Sequence, residues 1–250
     1  MAIHQDIGLT LRRLDYSETS QVLVVMTQRY GKVRLIAKGA RRSTKTRFSP
    51  GIDLLELGDL SFSVRSPAQE ALATLTAWKQ RTAFTSLRER LPRLHAAQYA
   101  AEITAGLTED WDPHPDLFDG LVTMMERLST ASEVSGAVVE FQRKLLTSIG
   151  SMPRFAACVV CGRPISPRGP VYFSSFEGGL LCRDCEPART EKRQVNPASL
   201  AALRGESSAA GVGAFDILNY HLGHLMGRAP LLADVLVDPR LARGVHTRKS

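Results

Sequence analysis

The sequence contains no hydrophobic run that approaches the roughly 20 apolar residues needed to cross a bilayer. Its first segment, Met1–Leu11, is interrupted by His4, Gln5 and Asp6 and so lacks the pattern of a signal peptide. Low-complexity tracts are also absent, and a content of 44% hydrophobic and 23% charged residues is typical of globular proteins. These absences predict a cytoplasmic protein with one large core or several small ones.

Motifs of the common nucleotide-dependent and metal-dependent enzymes are also missing. The chain has no glycine-rich loop of the form GxxxxGK[ST] or GxGxxG, and no HExxH. His221 and His224 lie three residues apart in a helical segment, but no further metal ligands accompany them. We interpret them as an exposed or core-edge pair. We predict no catalytic residues, and the protein is expected not to be an enzyme.

Acidic residues are missing from the stretch 29–47, although the whole chain contains 25 of them. That stretch contains eight basic residues: Arg29, Lys32, Arg34, Lys38, Arg41, Arg42, Lys45 and Arg47. Residues 1–50 carry ten Lys and Arg but three acids, and this excess of seven equals the net charge of +7 of the whole chain. Concentrated positive charge attracts polyanions, so nucleic acid is the expected partner. A membrane surface is disfavoured because no basic amphipathic helix with a Trp, Phe or Leu face is present.

The first part of the chain has the pattern of a β-rich domain. Segments rich in Val, Ile, Leu and Thr, several with apolar–polar alternation, occur at 6–14, 21–28, 32–38, 52–57, 60–65 and 71–76. Turn signals such as Tyr30-Gly31 and Ser49-Pro50-Gly51 separate them. A closed sheet avoids exposed edges, so the pattern favours a five-stranded OB-fold β-barrel, with an SH3-like barrel as the alternative.

The hydrophobic period changes after Trp78. Apolar residues recur at helical spacing in the segments 83–91, 94–107, 115–129 and 133–149, which predicts a helical bundle. Met124 and Met125 lie at core spacing in the third of these segments. Asn196 is a predicted N-cap for a short helix that ends near Arg204, and an amphipathic helix follows over 214–227.

All four cysteines lie close together in the sequence: Cys158, Cys161, Cys182 and Cys185. The spacing C-x2-C-x20-C-x2-C is that of a treble-clef or ribbon-type zinc site. Four thiolates at about 2.3 Å complete the tetrahedral coordination of Zn²⁺ and leave no position for water, so we predict one structural zinc per chain. Disulfides are disfavoured by the expected cytoplasmic setting, and an iron–sulfur cluster by the regular paired spacing.

Four motifs occur in an informative order: DYSETS at 15–20, TQRYGK at 27–32, AKGARR at 37–42, and FQRKLL at 141–146 ahead of the cysteines. Together they resemble the bacterial recombination mediator family RecO over essentially the full length. The resemblance implies a multidomain α+β fold with an embedded four-cysteine zinc-finger module. Its parts are an N-terminal OB-fold DNA-binding domain (1–79), a helical bundle (80–153), the zinc module (154–192), and C-terminal helices that complete the bundle before a basic tail (193–250).

The resemblance also implies a function in homologous recombination and DNA repair. RecO-like proteins bind single- and double-stranded DNA, anneal complementary strands and, with RecR, help load RecA onto strands coated by single-strand-binding protein (SSB). We therefore expect DNA, RecR and the acidic tail of SSB as partners, RecA as an indirect one, and a nucleoid-associated location. The four-cysteine site is not universal in the family, so zinc is not required for the shared function as such.

The DNA-binding surface is predicted on the basic strand and loop: Lys32, Arg34, Lys38, Arg41, Arg42, Lys45 and Arg47. Lys and Arg along a phosphate track release counterions and bind without sequence specificity. Aromatic residues are few there, and Tyr30 and Phe48 are the best candidates for base stacking. Strands held by their phosphates would lose their mutual repulsion while their base-pairing edges stay exposed, which is the predicted mechanism of annealing.

Two other functions fit the same residues. The basic loop could bind an acidic protein tail, which would make the protein an interaction adaptor, and the segment 214–227 with the basic tail is the expected place for such a contact. An RNA-binding zinc-ribbon protein is the other alternative. A nuclease is disfavoured by the missing catalytic motifs.

Overall fold

The computed structural model describes residues 2–40, 52–64, 72–166, 169–206 and 212–237. The chain divides into two compact units, residues 1–130 and 131–250. This boundary falls inside the predicted helical bundle 80–153. Its first two helices belong to the first unit because they pack on the β-sheet, whereas the next helix packs within the second unit.

The first unit is built around a five-stranded sheet. Its strands are β1 (Ala2–Asp15), β2 (Gln21–Thr27), β3 (Gly31–Ala37), β4 (Leu57–Val64) and β5 (Ala73–Thr82). They pair in the order β1-β2-β3-β5-β4, and β4 also pairs with β1, so the sheet closes into a barrel. All of these pairs are antiparallel except β3 with β5. The predicted five-stranded sheet is confirmed.

The interior of the barrel is closely packed. Its fully buried residues include Leu23, Val25, Val33, Leu35 and Phe62. Strand alternation places these side chains on the inner face, and glycine is required where a second element comes close. A Cβ atom at Gly58 would lie 2.6 Å from Cε2 of Trp78, so only a residue without a side chain allows this approach.

The predicted strand 52–57 is wrong, because only Leu57 of this segment belongs to a strand of the sheet. Leu55 has a left-handed backbone with φ of 65°. Its N–H donates to the carbonyl of Thr10 at 2.9 Å, and the N–H of Thr10 donates to the carbonyl of Glu56 at 2.9 Å. These bonds replace a regular ladder, which leaves Leu57 as the first residue of β4.

Two α-helices complete the first unit, α1 (Leu91–Leu107) and α2 (Pro115–Thr130). The predicted helix 83–91 is only a 3₁₀ turn over Thr85–Glu89, because β5 extends to Thr82 and Phe84 is left-handed with φ of 45°. The helix α1 packs against β1, and α2 contacts β2. Met124 and Met125 are buried on α2, so the prediction that they form core is confirmed.

The second unit combines helices with a small three-stranded sheet. Its helices are α3 (Ser135–Ser148), α4 (Leu200–Arg204), α5 (Val212–Met226) and α6 (Ala233–Val237). The strands β6 (Val171–Ser174), β7 (Gly179–Leu181) and β8 (Arg193–Val195) pair in the order β7-β6-β8. Asn196 caps the 3₁₀ turn before α4 by accepting the N–H of Ala198 at 3.0 Å, as predicted for this position. No helix in the described ranges is long and apolar enough to span a membrane.

Candidate nucleic-acid interface and metal centre

Two of the seven predicted DNA-binding residues are exposed on or next to β3. Arg34 lies within the strand, with 52% of its side chain exposed, and its Nε atom is 2.9 Å from Oδ2 of Asp110. Lys38 is exposed in the turn that follows the strand. Both cations are therefore accessible to an anionic partner.

Lys32 has the same strand orientation as Arg34 but is covered by the end of α1. The residue is 7% exposed, and its Nζ atom donates to the carbonyl oxygens of Ala105, at 2.9 Å, and of Thr108. Nζ also lies 3.3 Å from Oδ1 of Asp110. The last carbonyls of a helix attract positive charge, which explains this placement. This buried position does not favour contact between Lys32 and a phosphate.

Arg41, Arg42, Lys45 and Arg47 lie outside the described residues, as does Phe48. Their predicted role in DNA binding stays a prediction. Tyr30 is described, and it packs against the barrel core with its ring centroid 5.5 Å from that of Phe62. Tyr30 therefore contributes mainly to the packing of the barrel, and base stacking is at most a secondary role for it.

The outer surface of β1, β2 and β3 carries a pattern that the basic segment alone does not reveal. Across the three strands, Arg12 pairs with Val24 and Val24 with Arg34, while Leu14 pairs with Val22 and Val22 with Ile36. One row therefore has an arginine on each side of a valine, and the next row is aliphatic. We call this surface the basic–aliphatic face and define it by these residues: Arg12, Leu14, Val22, Val24, Arg34 and Ile36.

The exposure of these side chains distinguishes the face from the barrel interior. Arg12 and Arg34 are exposed, Leu14 is 65% exposed, and the three central aliphatic residues are partly exposed. Lys38 lies two residues after Ile36, just beyond the end of β3, and adds a further exposed positive charge there. A surface that combines guanidinium groups with accessible aliphatic side chains can contact both the phosphates and the base faces of a nucleic acid.

Arg12 was not among the predicted site residues, although the sequence contains a signal for it. Arg12 and Arg13 are adjacent in a strand, so their side chains point to opposite sides. A register shift between Thr10 and Arg12 then sets which one joins the outer row. Arg13 instead pairs with Asp53 at 2.9 Å.

The four cysteines form a compact cluster in the second unit. All four Sγ atoms lie within 4.8 Å of one another, and those of Cys161 and Cys182 are 3.8 Å apart. Four thiolates at about 2.3 Å from a tetrahedral metal ion would be separated by about 3.8 Å. A disulfide requires about 2.05 Å, and all four cysteines are free. The cluster therefore has the dimensions of a four-thiolate metal site.

The backbone around the cysteines forms two tight knuckles. In the first, Gly162 has a left-handed φ of 74°, and its N–H donates to the carbonyl of Cys158 at 2.9 Å. In the second, the N–H groups of Cys185 and Glu186 donate to the carbonyl of Cys182. The chain between the knuckles forms a hairpin of β6 and β7.

The pKa values of two thiols in the cluster shift in opposite directions. Burial raises the pKa of Cys158, but N–H groups of Cys161, Cys182 and Val160 outweigh burial and lower it to about 6. Hydrogen bonding to Cys182 and burial raise the pKa of Cys185 to about 12. The local hydrogen bonds thus favour one thiolate and oppose ionisation of the other. A divalent ion that prefers sulfur would compensate this charge.

Glu191 connects the cysteine-bearing segment to α5, and no local sequence pattern predicts this role. Its carboxylate accepts hydrogen bonds from Oγ of Ser174 at 2.6 Å and from the N–H groups of Ser175 and Phe176 at 3.2 and 3.1 Å. The hydroxyl of Tyr220 on α5 donates to the same carboxylate. Although burial acts in the opposite direction, these donors lower the pKa of Glu191. A single carboxylate thereby fixes the turn after β6.

His221 and His224 have different environments, although they lie on one helix. His221 is 4% exposed; its Nδ1 is 2.7 Å from Oγ of Ser175, and its Nε2 is 3.0 Å from the carbonyl oxygen of Ser151. Burial lowers the pKa of His221. His224 is exposed, and its ring lies against Phe176 with centroids 4.4 Å apart. Neither belongs to a cluster of metal-binding residues within the described ranges.

Comparison with known protein families assigns both halves of the chain. Residues 1–84 match the family model "Recombination protein O N terminal", and residues 88–218 match "Recombination protein O C terminal". The chain belongs to the RecO family. RecO membership places the protein in DNA repair and recombination, and it confirms the resemblance found in the sequence.

Individual relatives support the same assignment. The DNA repair protein RecO of Anaeromyxobacter dehalogenans (strain 2CP-C) is 37% identical over 196 residues, which are 78% of this chain and 76% of that protein. The DNA repair protein RecO of Rhodopirellula baltica is 33% identical over 199 residues, 79% of this chain and 73% of the relative. The Myxococcus xanthus protein of the same name is 29% identical over 237 residues, covering 91% and 94%. The similarity to RecO proteins thus extends over most of the chain.

Proposed function

We propose that this protein is a non-enzymatic DNA-binding member of the RecO family that holds single- and double-stranded DNA and anneals complementary strands. The observation that carries the proposal is the basic–aliphatic face, in which Arg12 and Arg34 flank aliphatic side chains on the outside of a small barrel. We propose that this barrel is an OB-fold, because its five strands and the match to the N-terminal RecO model agree with that class.

The spacing of the face suits a polyanionic chain. Adjacent strands are about 4.8 Å apart, so the backbones that carry Arg12 and Arg34 are separated by roughly 10 Å across β2. A strand of DNA that crosses β1, β2 and β3 would bring successive phosphates to the two guanidinium groups and to Lys38. Each neutralised phosphate would release counterions, so binding would weaken as the salt concentration rises.

The aliphatic row would contact the bases in the way that annealing requires. Base faces that pack on Leu14, Val22 and Ile36 would be held without hydrogen bonds to their edges. The base-pairing edges would then remain free for a complementary strand, while bound cations reduce the repulsion between the two backbones. Arg41, Arg42, Lys45 and Arg47 lie outside the described residues and are proposed to bind DNA on the evidence of the sequence alone.

The cysteine cluster is proposed to hold one structural Zn²⁺ through Cys158, Cys161, Cys182 and Cys185. Zinc would supply a closed tetrahedral link between the two knuckles and no catalysis, because four protein ligands leave no open position. The dimensions of the cluster support this assignment.

Family membership supports the proposed partners. RecR, the acidic tail of SSB and, indirectly, RecA are proposed to act with this protein on nucleoid DNA in the cytoplasm. The described structure offers cationic and aliphatic groups together on the basic–aliphatic face, which would also suit an acidic tail with apolar residues. The adaptor function is therefore the second candidate, and it predicts binding to such a peptide without annealing.

The test is annealing of complementary oligonucleotides, without nucleotide or added metal, across a salt series. The triple variant Arg12→Gln, Arg34→Gln, Lys38→Gln should anneal more slowly, and its single-strand binding should have a salt slope smaller by about 0.7 for each lost phosphate contact. A matched control changes three exposed cations of the second unit by the same total charge: Lys144→Gln, Arg154→Gln and Arg183→Gln.

An equal loss in the two variants would show that net charge matters and position does not. An unchanged annealing rate in the triple variant Arg12→Gln, Arg34→Gln, Lys38→Gln would contradict the proposal that the basic–aliphatic face binds DNA. Binding to RNA and to DNA of equal length should also be compared. Tighter binding to RNA would favour the alternative of an RNA-binding protein. Release of shortened strands during the assay would contradict the absence of an enzymatic activity.

A further inference from the structure

Cys161 differs from the other cysteines in its accessibility. Its residue is exposed, whereas Cys158 is 2% exposed and Cys182 and Cys185 are intermediate. Thiolates react with peroxides much faster than thiols, and accessible ones react first. As a ligand of a metal, Cys161 would be held as a thiolate at the surface of the protein.

Positive charge lies next to this sulfur. Arg163 is two residues after Cys161 and forms an ion pair with Asp184 beside the second knuckle. A guanidinium group near a sulfur attracts a polar oxidant.

A second sulfur is already within reach of the first. The Sγ atom of Cys182 is 3.8 Å from that of Cys161, so an approach of roughly 1.8 Å would bring the pair to the bond length of a disulfide. Cys158 is a poorer partner, because its residue is only 2% exposed.

We propose that Cys161 is a site of reversible oxidation by hydroperoxides, with Cys182 as the thiolate that resolves it. The proposal rests on the metal assignment of the cysteine cluster, and it is independent of DNA binding. The product is a disulfide that joins the two knuckles instead of a disulfide within either one.

The chemistry takes place in two displacement steps. The Cys161 thiolate attacks one oxygen of hydrogen peroxide, the O–O bond breaks, and the sulfur becomes a sulfenic acid while hydroxide leaves and is protonated. The Cys182 thiolate then attacks that sulfur, the S–S bond forms, and a second hydroxide leaves and is protonated. Two thiolates, one peroxide and two protons thus give one disulfide and two waters; sulfur is oxidised and peroxide is reduced.

Two consequences follow for the second unit. The disulfide removes two of the four thiolate ligands, so a bound zinc ion would be released. The same bond links positions that are 21 residues apart, and therefore replaces the metal as the cross-link between the knuckles.

The experiment uses the full chain loaded with zinc and treated with hydrogen peroxide, with zinc release followed by a coloured chelator. We expect loss of the bound zinc, one ion per chain, and a Cys161–Cys182 disulfide as the first product in peptide mapping, both reversed by dithiothreitol and fresh zinc. A Cys182→His variant supplies an alternative zinc ligand but no resolving thiol. In it we expect a sulfenic acid at Cys161 that dimedone captures.

Several results would overturn the proposal. They are a first disulfide within one knuckle, dimedone capture at another cysteine, zinc that stays bound while peroxide is consumed, or a chain that binds no zinc at all. Annealing measured on the untreated chain tests the proposed DNA function separately. A negative result for oxidation of Cys161 therefore does not contradict the proposed DNA function, and the reverse also holds.

Discussion

The ammonium group of Lys32 on β3 lies 2.9 Å from the carbonyl oxygen of Ala105 on α1. A residue of the basic segment thereby ties the barrel to the C-terminal end of a helix instead of facing solvent. Lys38, six residues later in the same segment, is exposed. Two lysines that look equivalent in the sequence thus have separate roles, one in stability and one at the proposed interface.

We expect Lys32→Met to lower the free energy of unfolding by about 2–3 kcal/mol, because the helix carbonyls and Asp110 lose their buried cation. Urea denaturation of the full chain measures this change. The matched variant Lys38→Met should change stability by less than about 0.5 kcal/mol while weakening binding to single-stranded DNA at low salt. The reverse pattern, in which Lys32→Met is neutral and Lys38→Met destabilises, would contradict the assignment of the two lysines.

Glu191→Gln should destabilise the second unit by about 1–2 kcal/mol, since the charged acceptor of four hydrogen bonds is replaced by a neutral amide. Because the folded pKa of Glu191 is lowered, its ionisation contributes stability that is fully present above its unfolded pKa of about 4.3 and is lost as the pH falls through the folded value. Thermal melting from pH 7 to 3 would show a steeper acid loss in the wild type than in the variant. Glu126→Gln, an exposed residue on α2, is the control and should keep the wild-type pH profile.

His221 predicts a second acid-sensitive range at higher pH. Burial lowers its folded pKa, so below about 6.5 the unfolded chain binds a proton that the folded chain excludes. Wild-type stability should therefore fall as the pH decreases from about 6.5 towards the folded pKa. His221→Asn should cost about 1–2 kcal/mol at pH 7.5 and should flatten this slope. A slope that survives in His221→Asn would assign the titration to another group.

Metal removal is expected to loosen the second unit and to leave the barrel intact. Structural zinc sites couple metal binding to folding, and the knuckles pair with β6 and β7 through backbone bonds such as Val159 to Leu180. Hydrogen exchange after chelation should show lost protection over 154–195 and unchanged protection in β1 to β5. Equal protection with and without chelator over 154–195 would mean that the cysteine cluster does not depend on a metal.

Much of the local structure follows from the sequence because its signals are short-ranged. The helices α1, α2 and α3 agree with the predicted segments to within a few residues, since each buries one face at regular spacing. The cysteine cluster follows from spacing as well, because a knuckle of four residues fixes its two sulfurs by local geometry. Asn196 is predictable for the same reason, as its side chain caps a backbone N–H only two residues away.

What the sequence could not show depends on contacts between distant residues. The burial of Lys32 depends on the carbonyls of Ala105 and Thr108 at the end of α1, which lie 73 and 76 residues further along the chain. The segment 52–57 is apolar enough for a strand, and only its bonds to Thr10 of β1 show that most of it lies outside the regular ladder. The strand β8 is only three residues long and forms through pairing with β6. No local sequence pattern therefore predicts it.

The order of the strands in the barrel has a consequence for how the chain folds. β1, β2 and β3 form a meander of consecutive hairpins, whereas β4 follows a long connection and returns to pair with β1, and the next strand, β5, pairs with both β4 and β3. Local pairings form early and long-range closure forms late, because the loop entropy is lost before the contacts are gained. Every residue of the basic–aliphatic face lies in the meander. The basic–aliphatic face is therefore laid out by residues 12–36, before the barrel closes.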